Sequence, residues 1–212
     1  MELTDRSRVR RMPERGSHEL AAIHAVLDAA FLAHVGFAVD GQPFVIPTLF
    51  GRAGDDKLYL HGSAASRMMR ELEKGVRACV TVTLVDGLVL ARSAFHHSMN
   101  YRSVVAFGMA TKIVEPERKS EALQRISEHL IAGRWADVRI PNAQELKATT
   151  VLEFQIEEAS AKVRTGGPKD DAEDMDFPVW AGVLPLTLAA KAPIADTTGH
   201  DVPAYMKQFG KR

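Results

Sequence analysis

Three residues that can bind an anion lie close together in the stretch KLYLHGSAASRMMRELEKG, residues 57–75. Ser63 and Ser66 carry hydroxyl groups, and Arg67 carries a guanidinium group. The pattern predicts a strand before them and a helix after them, with Gly62 in a tight turn and Ser63 as the helix N-cap. A helix N-terminus offers unpaired N–H groups and a positive dipole end, so the junction is a candidate phosphate site. An ordinary capped helix with a solvated arginine is the alternative.

Two further groups of residues are candidates for contacts with a ligand. His61 lies at the end of the predicted strand, where it either contacts a bound ring or forms a half-exposed polar strand end. Asn100, Tyr101 and Arg102 combine an amide, an aromatic ring and a cation where a loop enters a strand. Hairpin and cross-strand packing is the alternative role for these three residues.

The sequence lacks the motifs of the common hydrolases, metalloproteases, P-loop proteins and dinucleotide-binding folds. Eight histidines are present, but His96 and His97 are adjacent and would point to opposite sides of an extended chain. Cys79 is the only cysteine, and it lies in a predicted strand, where a thiol is usually unreactive. We therefore expect neither a metal site nor a cysteine nucleophile.

The charge balance argues against a nucleic-acid-binding protein, because 27 Lys and Arg residues match 27 Asp and Glu residues. The basic stretch at residues 6–15 is expected to be a mobile, solvated arm. A lone cysteine, together with the lack of a secretory leader and of a long apolar run, favours a cytoplasmic protein without a membrane span.

Hydrophobic periodicity predicts one helix and three antiparallel strands before the strand-to-helix junction that is the candidate phosphate site. Ser17 caps the helix, and the strands LAHVGFAV and PFVIPTLF are joined by a turn at Asp40-Gly41. Pro47 indicates an edge or a bulge in the second of these strands. A turn at residues 51–56 leads to the third strand, which enters the junction.

Four strands and two helices are predicted after the junction. The strand at residues 76–85 is followed by a second hairpin turn at Asp86-Gly87 and a return strand. A long strand begins at Tyr101, and Pro116 begins a helix that Gly133 ends. The last elements are a short helix over residues 142–148 and an edge strand over residues 151–159.

Hairpin-linked strands without parallel crossovers predict a mainly β (α+β) fold, an antiparallel split β-barrel of six to seven strands with peripheral helices. Residues 1–16 form the arm, residues 17–165 the barrel and residues 166–212 a C-terminal extension. Because the extension contains the apolar segment FPVWAGVLPL around Trp180, we expect it to pack on the barrel or on a second subunit.

The chain resembles the pyridoxamine 5′-phosphate oxidase-like flavin-binding split-barrel family, in the branch that includes the nitroimidazole-resistance proteins. The motifs that carry this resemblance are RRMPERGS, FVIPTLF, LYLHGSAASRMMRELE, NYRSVVAFGMA and VWAGVLPL, in this order. The resemblance implies a homodimer that binds FMN, or FAD in some relatives, at the subunit interface.

The resemblance also implies which residues contact the flavin. The phosphate would be bound by Gly62, Ser63, Ser66 and Arg67. The isoalloxazine would lie along Val45, Ile46, Pro47 and Thr48, near His61. The remaining contacts, from the interface or the partner chain, would be Tyr101, Arg102 and Trp180.

The activity that the resemblance implies is a flavin-dependent oxidoreductase that transfers electrons from NAD(P)H through FMN to a small-molecule acceptor. The Arg and His set with which true pyridoxamine-phosphate oxidases bind their substrate has no counterpart here, so that reaction is not expected. A non-catalytic flavin carrier or sensor is one alternative. Another is a haem-binding split-barrel protein that uses His61.

Overall fold

We describe the fold from a computed structural model, in which residues 4–197 and 199–208 are placed. Residues 1–3 of the predicted arm and residues 198 and 209–212 of the predicted extension lie outside the described residues. The described strands are β1 (Gly16–Ser17), β2 (Leu32–Val39), β3 (Gln42–Ala53), β4 (Lys57–Ser63), β5 (Ala78–Leu90), β6 (Ser98–Lys112), β7 (Thr149–Arg164) and β8 (Gly182–Pro185). The described α-helices are α1 (Leu20–Ala29), α2 (Arg67–Leu72), α3 (Pro116–Leu130) and α4 (Ala143–Ala148). Short 3-10 turns lie at Pro13–Arg15, Ala94–His96, Trp135–Asp137, Ala172–Asp174 and Ala204–Gln208.

Six antiparallel strands form a closed ring. The order around it is β7, β4, β3, β2, β5 and β6, and pairing between β6 and β7 closes it. Two short strands extend the sheet, because β1 pairs with β7 and β8 pairs with β5. The predicted split antiparallel barrel with peripheral helices is therefore confirmed.

The core lies inside this ring. Alternate residues of the strands point inward, so that Phe50, Leu60 and Phe154 are almost completely buried. The predicted apolar face of α1 packs into the same core through Ile23 and Leu27. Burial of each such side chain contributes about 1.5–3 kcal/mol to folding, and this cluster fixes the strands that surround the candidate site.

The helices differ in how well their ends were predicted. Helix α1 begins at Leu20 after Glu19, whereas Ser17 pairs with Ala161 as part of β1. The predicted short helix is confirmed as α4, which Asn142 caps. None of the described helices combines the length and the apolar composition that a membrane span requires.

The predicted hairpin at Asp86-Gly87 is wrong. Strand β5 continues through both residues, with a shift of register towards β6 between Val85 and Gly87. The physical reason is the neighbouring strand β8, since a Cβ atom on Gly87 would lie only 3.0 Å from the Leu184 carbonyl oxygen. The glycine permits close strand approach at a bulge instead of a turn.

The predicted edge position of the last strand is also wrong. Strand β7 pairs with β1, β4 and β6, so it lies within the sheet. Its alternating acidic residues point outward, where Glu153 bonds Lys57 at 3.0 Å and Glu157 bonds Arg77 at 2.7 Å. The polar alternation therefore reflects ion pairs on the outer face of a barrel.

Candidate functional site

The strand-to-helix junction is built differently from the sequence prediction. Strand β4 runs through Gly62 to Ser63, and Ser66 rather than Ser63 occupies the N-cap position of α2. Gly62 is therefore in a strand and not in a tight turn. A Cβ atom there would lie 3.1 Å from Cγ of Met69, so the glycine allows α2 to pack closely against β4.

The loop between β4 and α2 is short and tied to its own backbone. The Ser66 N–H donates to the Ser63 carbonyl at 2.9 Å, and the Ala65 N–H donates to the Ser63 hydroxyl at 3.2 Å. Met68 and Met69 anchor the start of α2 in the core, whereas Ser63 and Ala65 are exposed. The loop is consequently held in one place with its polar groups facing outward.

Arg67 lies over the ring of Phe44, with its guanidinium carbon 4.7 Å from the ring centre. Such cation–π contacts contribute about 0.5–1 kcal/mol at exposed positions. Arg52 and Arg77 pair with carboxylates, but no carboxylate among residues 4–197 and 199–208 pairs with Arg67. The guanidinium is thus positioned by an aromatic ring and keeps its hydrogen-bond donors for an external acceptor.

The residues predicted to contact a flat ring lie on an open strand edge beside Arg67. Residues 42–49 of β3 pair with β2 on one side, whereas pairing of β3 with β4 begins only at Phe50. Val45 is 64% exposed and Ile46 is 38% exposed, and Pro47 lies on the same open edge. The predicted edge position of Pro47 is confirmed, and backbone groups of this segment face outward.

His61 lies on the outer face of β4, on the same side as Tyr59. Its Nδ1 atom is buried and has no hydrogen-bond partner among the described residues. Burial lowers the pKa of His61, so the imidazole is neutral at pH 7. A buried ring nitrogen without a partner is a costly feature, and it marks His61 as a candidate ligand-binding residue.

Tyr101 and Arg102 lie on β6, which is separated from β3 by β2 and β5. Arg102 donates two hydrogen bonds to Asp86, at 2.9 Å from Nε and 2.7 Å from Nη2. The neighbouring Asn100 is buried and donates to the Gly166 carbonyl at 3.1 Å. Within one chain, the fold does not bring these β6 residues to the junction.

Trp180 lies in the irregular segment that precedes β8 and is 67% exposed. The indole ring packs against Gly182, where a Cβ atom would lie 2.8 Å from it. Strand β8 itself pairs with β5 and carries the exposed side chain of Leu184. The C-terminal segment therefore presents apolar surface away from the Arg67 junction.

Three groupings of side chains in the structure were not predicted from the sequence. Phe44 supports Arg67, and Asp86 holds Arg102, although each pair is far apart in sequence. The ligand atoms of His96, Asp171 and Asp174 also lie within 4.8 Å of one another. Neither hydrophobic periodicity nor local motifs report contacts of this kind, because separate elements bring the residues together.

The geometry supports binding of a phosphate beside a flat ring. Arg67 and the hydroxyl groups of Ser63 and Ser66 lie around one loop, and the open β3 edge begins next to Phe44. Arginine and hydroxyl donors suit phosphate oxygens, and an unpaired strand edge offers N–H and C=O groups to a heterocycle.

Comparison with protein families gives one match. Residues 19–163 match the sequence model of the pyridoxamine 5′-phosphate oxidase family. A comparison with curated proteins found no match.

Two solved structures are similar over almost the whole chain. The flavocytochrome Anf3 from Azotobacter vinelandii is 42% identical, with a TM-score of 0.89 and 97% of each chain covered. The FAD and heme binding protein from Mycobacterium smegmatis is 36% identical, with a TM-score of 0.87, and the match covers 92% of this chain and 97% of that one. A Bacteroides thetaiotaomicron protein, proposed to confer 5-nitroimidazole antibiotic resistance, is 23% identical, with a TM-score of 0.57 over 70% of this chain and 86% of that one. This third structure shows similarity of fold alone.

Proposed function

The chain belongs to the pyridoxamine 5′-phosphate oxidase family, and from this premise we propose that it is a flavin-binding protein. The flavin is FMN or FAD: the sequence resemblance implies FMN, whereas the Mycobacterium smegmatis protein is named for FAD. The flavin phosphate binds at Ser63, Ser66 and Arg67. The isoalloxazine lies along residues 45–48, with His61 nearby.

The observation that carries this proposal is the position of Arg67. Its guanidinium is held over Phe44 without a carboxylate partner in the described chain, next to a strand edge that has no neighbouring strand. A phosphate accepts charge-assisted hydrogen bonds from such a guanidinium. The exposed backbone of residues 45–48 then supplies donors and acceptors to the edge of the ring.

We propose an oxidoreductase that passes electrons from NAD(P)H to a small-molecule acceptor. A bound flavin supplies the electron chemistry, so the chain contributes binding, orientation and electrostatics without a catalytic acid or base of its own. A flavin carrier or sensor is the alternative. Steady oxidation of NAD(P)H by the flavin-loaded protein in the presence of an acceptor supports the enzyme, and its complete absence supports the carrier.

We also propose that the protein is a homodimer with the flavin at the subunit interface. The exposed apolar side chains of Trp180 and Leu184 support a protein contact on the C-terminal segment. In this arrangement the second copy brings its own Tyr101, Arg102 and Trp180 towards the flavin. The second subunit would thus supply those predicted flavin contacts that lie far from the junction within one chain.

The test of the phosphate site is Arg67→Ala, with Arg77→Ala as the matched control. Arg77 is an exposed arginine that pairs with Glu157 outside the site. We expect Arg67→Ala to weaken flavin binding by about 1.5–3 kcal/mol, the contribution of hydrogen bonds to a charged group. Flavin fluorescence titration measures the affinity. Equal affinity of the Arg67→Ala variant and the parent would refute the assignment.

Haem is a second candidate ligand, and the environment of His61 favours it. The imidazole is neutral and has one buried nitrogen without a partner in the described chain, and neutral imidazole is the form that binds iron. Two of the matched structures are named as a flavocytochrome and as an FAD and heme binding protein. We expect the Soret band of added haemin to shift with the parent and with His24→Ala, a control on α1 whose ring nitrogen contacts the Asp55 carbonyl oxygen, but not with His61→Ala. An equal shift in all three proteins would remove His61 from this role.

A further inference from the structure

The loop at residues 63–66 is held by α4 as well as by its own backbone. The Ala64 N–H donates to the Ala148 carbonyl, at the end of α4, over 3.1 Å. The Ala64 carbonyl accepts a hydrogen bond from Nε of Arg70 at 3.2 Å. The first residues of β7, which follow α4 directly, also pair with the end of β4. The position of this loop therefore depends on where α4 ends.

Helix α4 has only six residues, so its stability depends on contacts at its ends. At the N-terminus, Asn142 and Glu145 form a reciprocal capping box with hydrogen bonds of 2.8 Å and 2.9 Å. At the C-terminus, the Thr149 N–H donates to the Glu145 carbonyl. The Leu146 carbonyl accepts a hydrogen bond of 2.6 Å from Nζ of Lys119. The end of α4 that faces the loop thus uses a donor from α3.

Lys119 is buried on α3, with only 9% of its surface exposed. Lys57, Lys74 and Lys112 each pair with a glutamate, whereas no carboxylate in the described ranges 4–197 and 199–208 pairs with Lys119. A buried ammonium group is costly unless it is hydrogen-bonded. Its acceptor here is a carbonyl in the last turn of a helix, where the negative end of the helix dipole favours a cation. Lys119 therefore serves as a C-terminal cap of α4.

We propose that Lys119 is a positioning residue for the phosphate of the flavin. Its ammonium group fixes the last turn of α4, and the Ala148 carbonyl of that turn holds the Ala64 N–H. The loop then presents the phosphate donors of residues 63–67 in one arrangement before the ligand binds, which lowers the cost of binding. Lys119 acts through α4 and not by a contact with the flavin. This inference rests on the phosphate site proposed above.

The test compares FMN with riboflavin, which has the same isoalloxazine but no phosphate, by fluorescence titration of the full-length apoprotein. Lys119→Met removes the ammonium group and keeps an apolar side chain of similar length. We expect this variant to bind FMN about tenfold more weakly than the parent, as for the loss of one hydrogen bond to a charged group, with riboflavin affinity unchanged. The matched control is Lys162→Met, because Lys162 also donates to a backbone carbonyl, that of Arg11 at 2.9 Å, but near the opposite end of β7.

Hydrogen exchange of the apoprotein examines the same contact without a ligand. The Ala64 amide should exchange faster in Lys119→Met than in the parent and in Lys162→Met, because its acceptor on α4 is no longer fixed. Amides inside the barrel strands should keep their protection, which separates a local change at the loop from general unfolding.

Unchanged FMN affinity of Lys119→Met would overturn the proposal, as would an equal loss of FMN and riboflavin affinity or an unchanged exchange rate at Ala64. The failure of the underlying phosphate site gives a different result. A parent protein that binds FMN no more tightly than riboflavin would refute the phosphate assignment, and this inference with it. A parent that prefers FMN, together with a Lys119→Met variant that keeps the same preference, would refute the role of Lys119 alone.

Discussion

The role proposed for Arg67 depends on the surroundings of its side chain. Several arginines of this chain, such as Arg52 and Arg102, are neutralised by bidentate bonds to an aspartate. Arg67 instead lies on the face of Phe44, which orients the guanidinium but does not consume its hydrogen-bond donors. Because an aromatic ring and not a carboxylate supports it, the guanidinium keeps the donors that the proposed phosphate site requires.

The candidate residues could be predicted from the sequence only in part. Ser63, Ser66 and Arg67 are close in sequence, so local pattern was enough to group them. The contact of Arg67 with Phe44 joins the first residue of α2 to a residue near the start of β3, and no local pattern in the sequence indicates it. Contacts that a second subunit would make with these residues likewise leave no local signal in the sequence of one chain.

His61 is expected to make stability depend on pH. Burial lowers its pKa from the ordinary value of 6.5. As the pH falls below 6.5, the unfolded chain takes up a proton that the folded chain does not yet bind, so the free energy of unfolding decreases until the lower folded pKa is reached. Urea unfolding over a pH series measures this, and the parent should lose stability more steeply below pH 6.5 than His61→Gln.

Above pH 6.5 the two curves should run parallel, because His61 is neutral in both states there. His34→Gln, which removes an exposed histidine, is the control. A His61→Gln protein with the same slope as the parent below pH 6.5 would show that the imidazole is not held in its neutral form.

Two Asp-Gly pairs show which elements local chemistry can predict. Asp40 and Gly41 have φ angles of 50° and 80°, as the predicted hairpin turn requires. The second pair, Asp86 and Gly87, lies in a continuous strand with a bulge beside β8. The dipeptide was the same, and the difference arises from a strand almost one hundred residues later, which the local pattern does not include.

A glycine at another bulge gives a prediction at the level of the sheet. The register between β6 and β7 shifts at Gly108, and a Cβ atom there would lie 1.9 Å from the Gln155 carbonyl oxygen. Since the conflict is with backbone, the strands would have to separate, and we expect Gly108→Ala to cost about 3 kcal/mol of stability. Gly36→Ala is the control, because a Cβ atom added there would lie 3.6 Å from its nearest neighbour, which is an ordinary van der Waals distance.

Chemical denaturation of both variants tests the closure of the barrel between β6 and β7. Gly36→Ala should stay within about 0.5 kcal/mol of the parent, as substitutions without a steric conflict usually do. If Gly108→Ala were as stable as Gly36→Ala, the close approach of β7 to Gly108 would be incorrect.

The described residues form a large core inside the barrel, a small second cluster around Ala122 and a separate band of apolar surface. The barrel interior accounts for the large buried side chains, while Leu88, Trp180 and Leu184 remain exposed around β8. Hydrophobic periodicity predicted which strand residues fill the barrel interior, because inward-facing and outward-facing residues alternate along each strand. The pairing of β8 with β5 was not predicted, since four residues after an irregular segment carry no clear period.

The proposed homodimer gives a prediction for this band of surface. If the C-terminal segment contacts the second subunit, Leu184→Asp should convert the dimer to monomers, because a charge would be buried in an apolar contact. Ile140→Asp is the control, since Ile140 is 60% exposed in the loop between α3 and α4. Light scattering coupled to size exclusion gives the mass, and a Leu184→Asp protein that remains dimeric would argue against this interface.

Flavin binding is the central claim, and the cofactor content of the purified protein tests it most directly. The protein is denatured, and the released small molecules are identified by mass spectrometry and quantified by absorbance. We expect FMN or FAD at about one molecule per chain, either as purified or after incubation with each flavin. A protein that releases neither flavin, and retains neither after incubation, would contradict the proposed function.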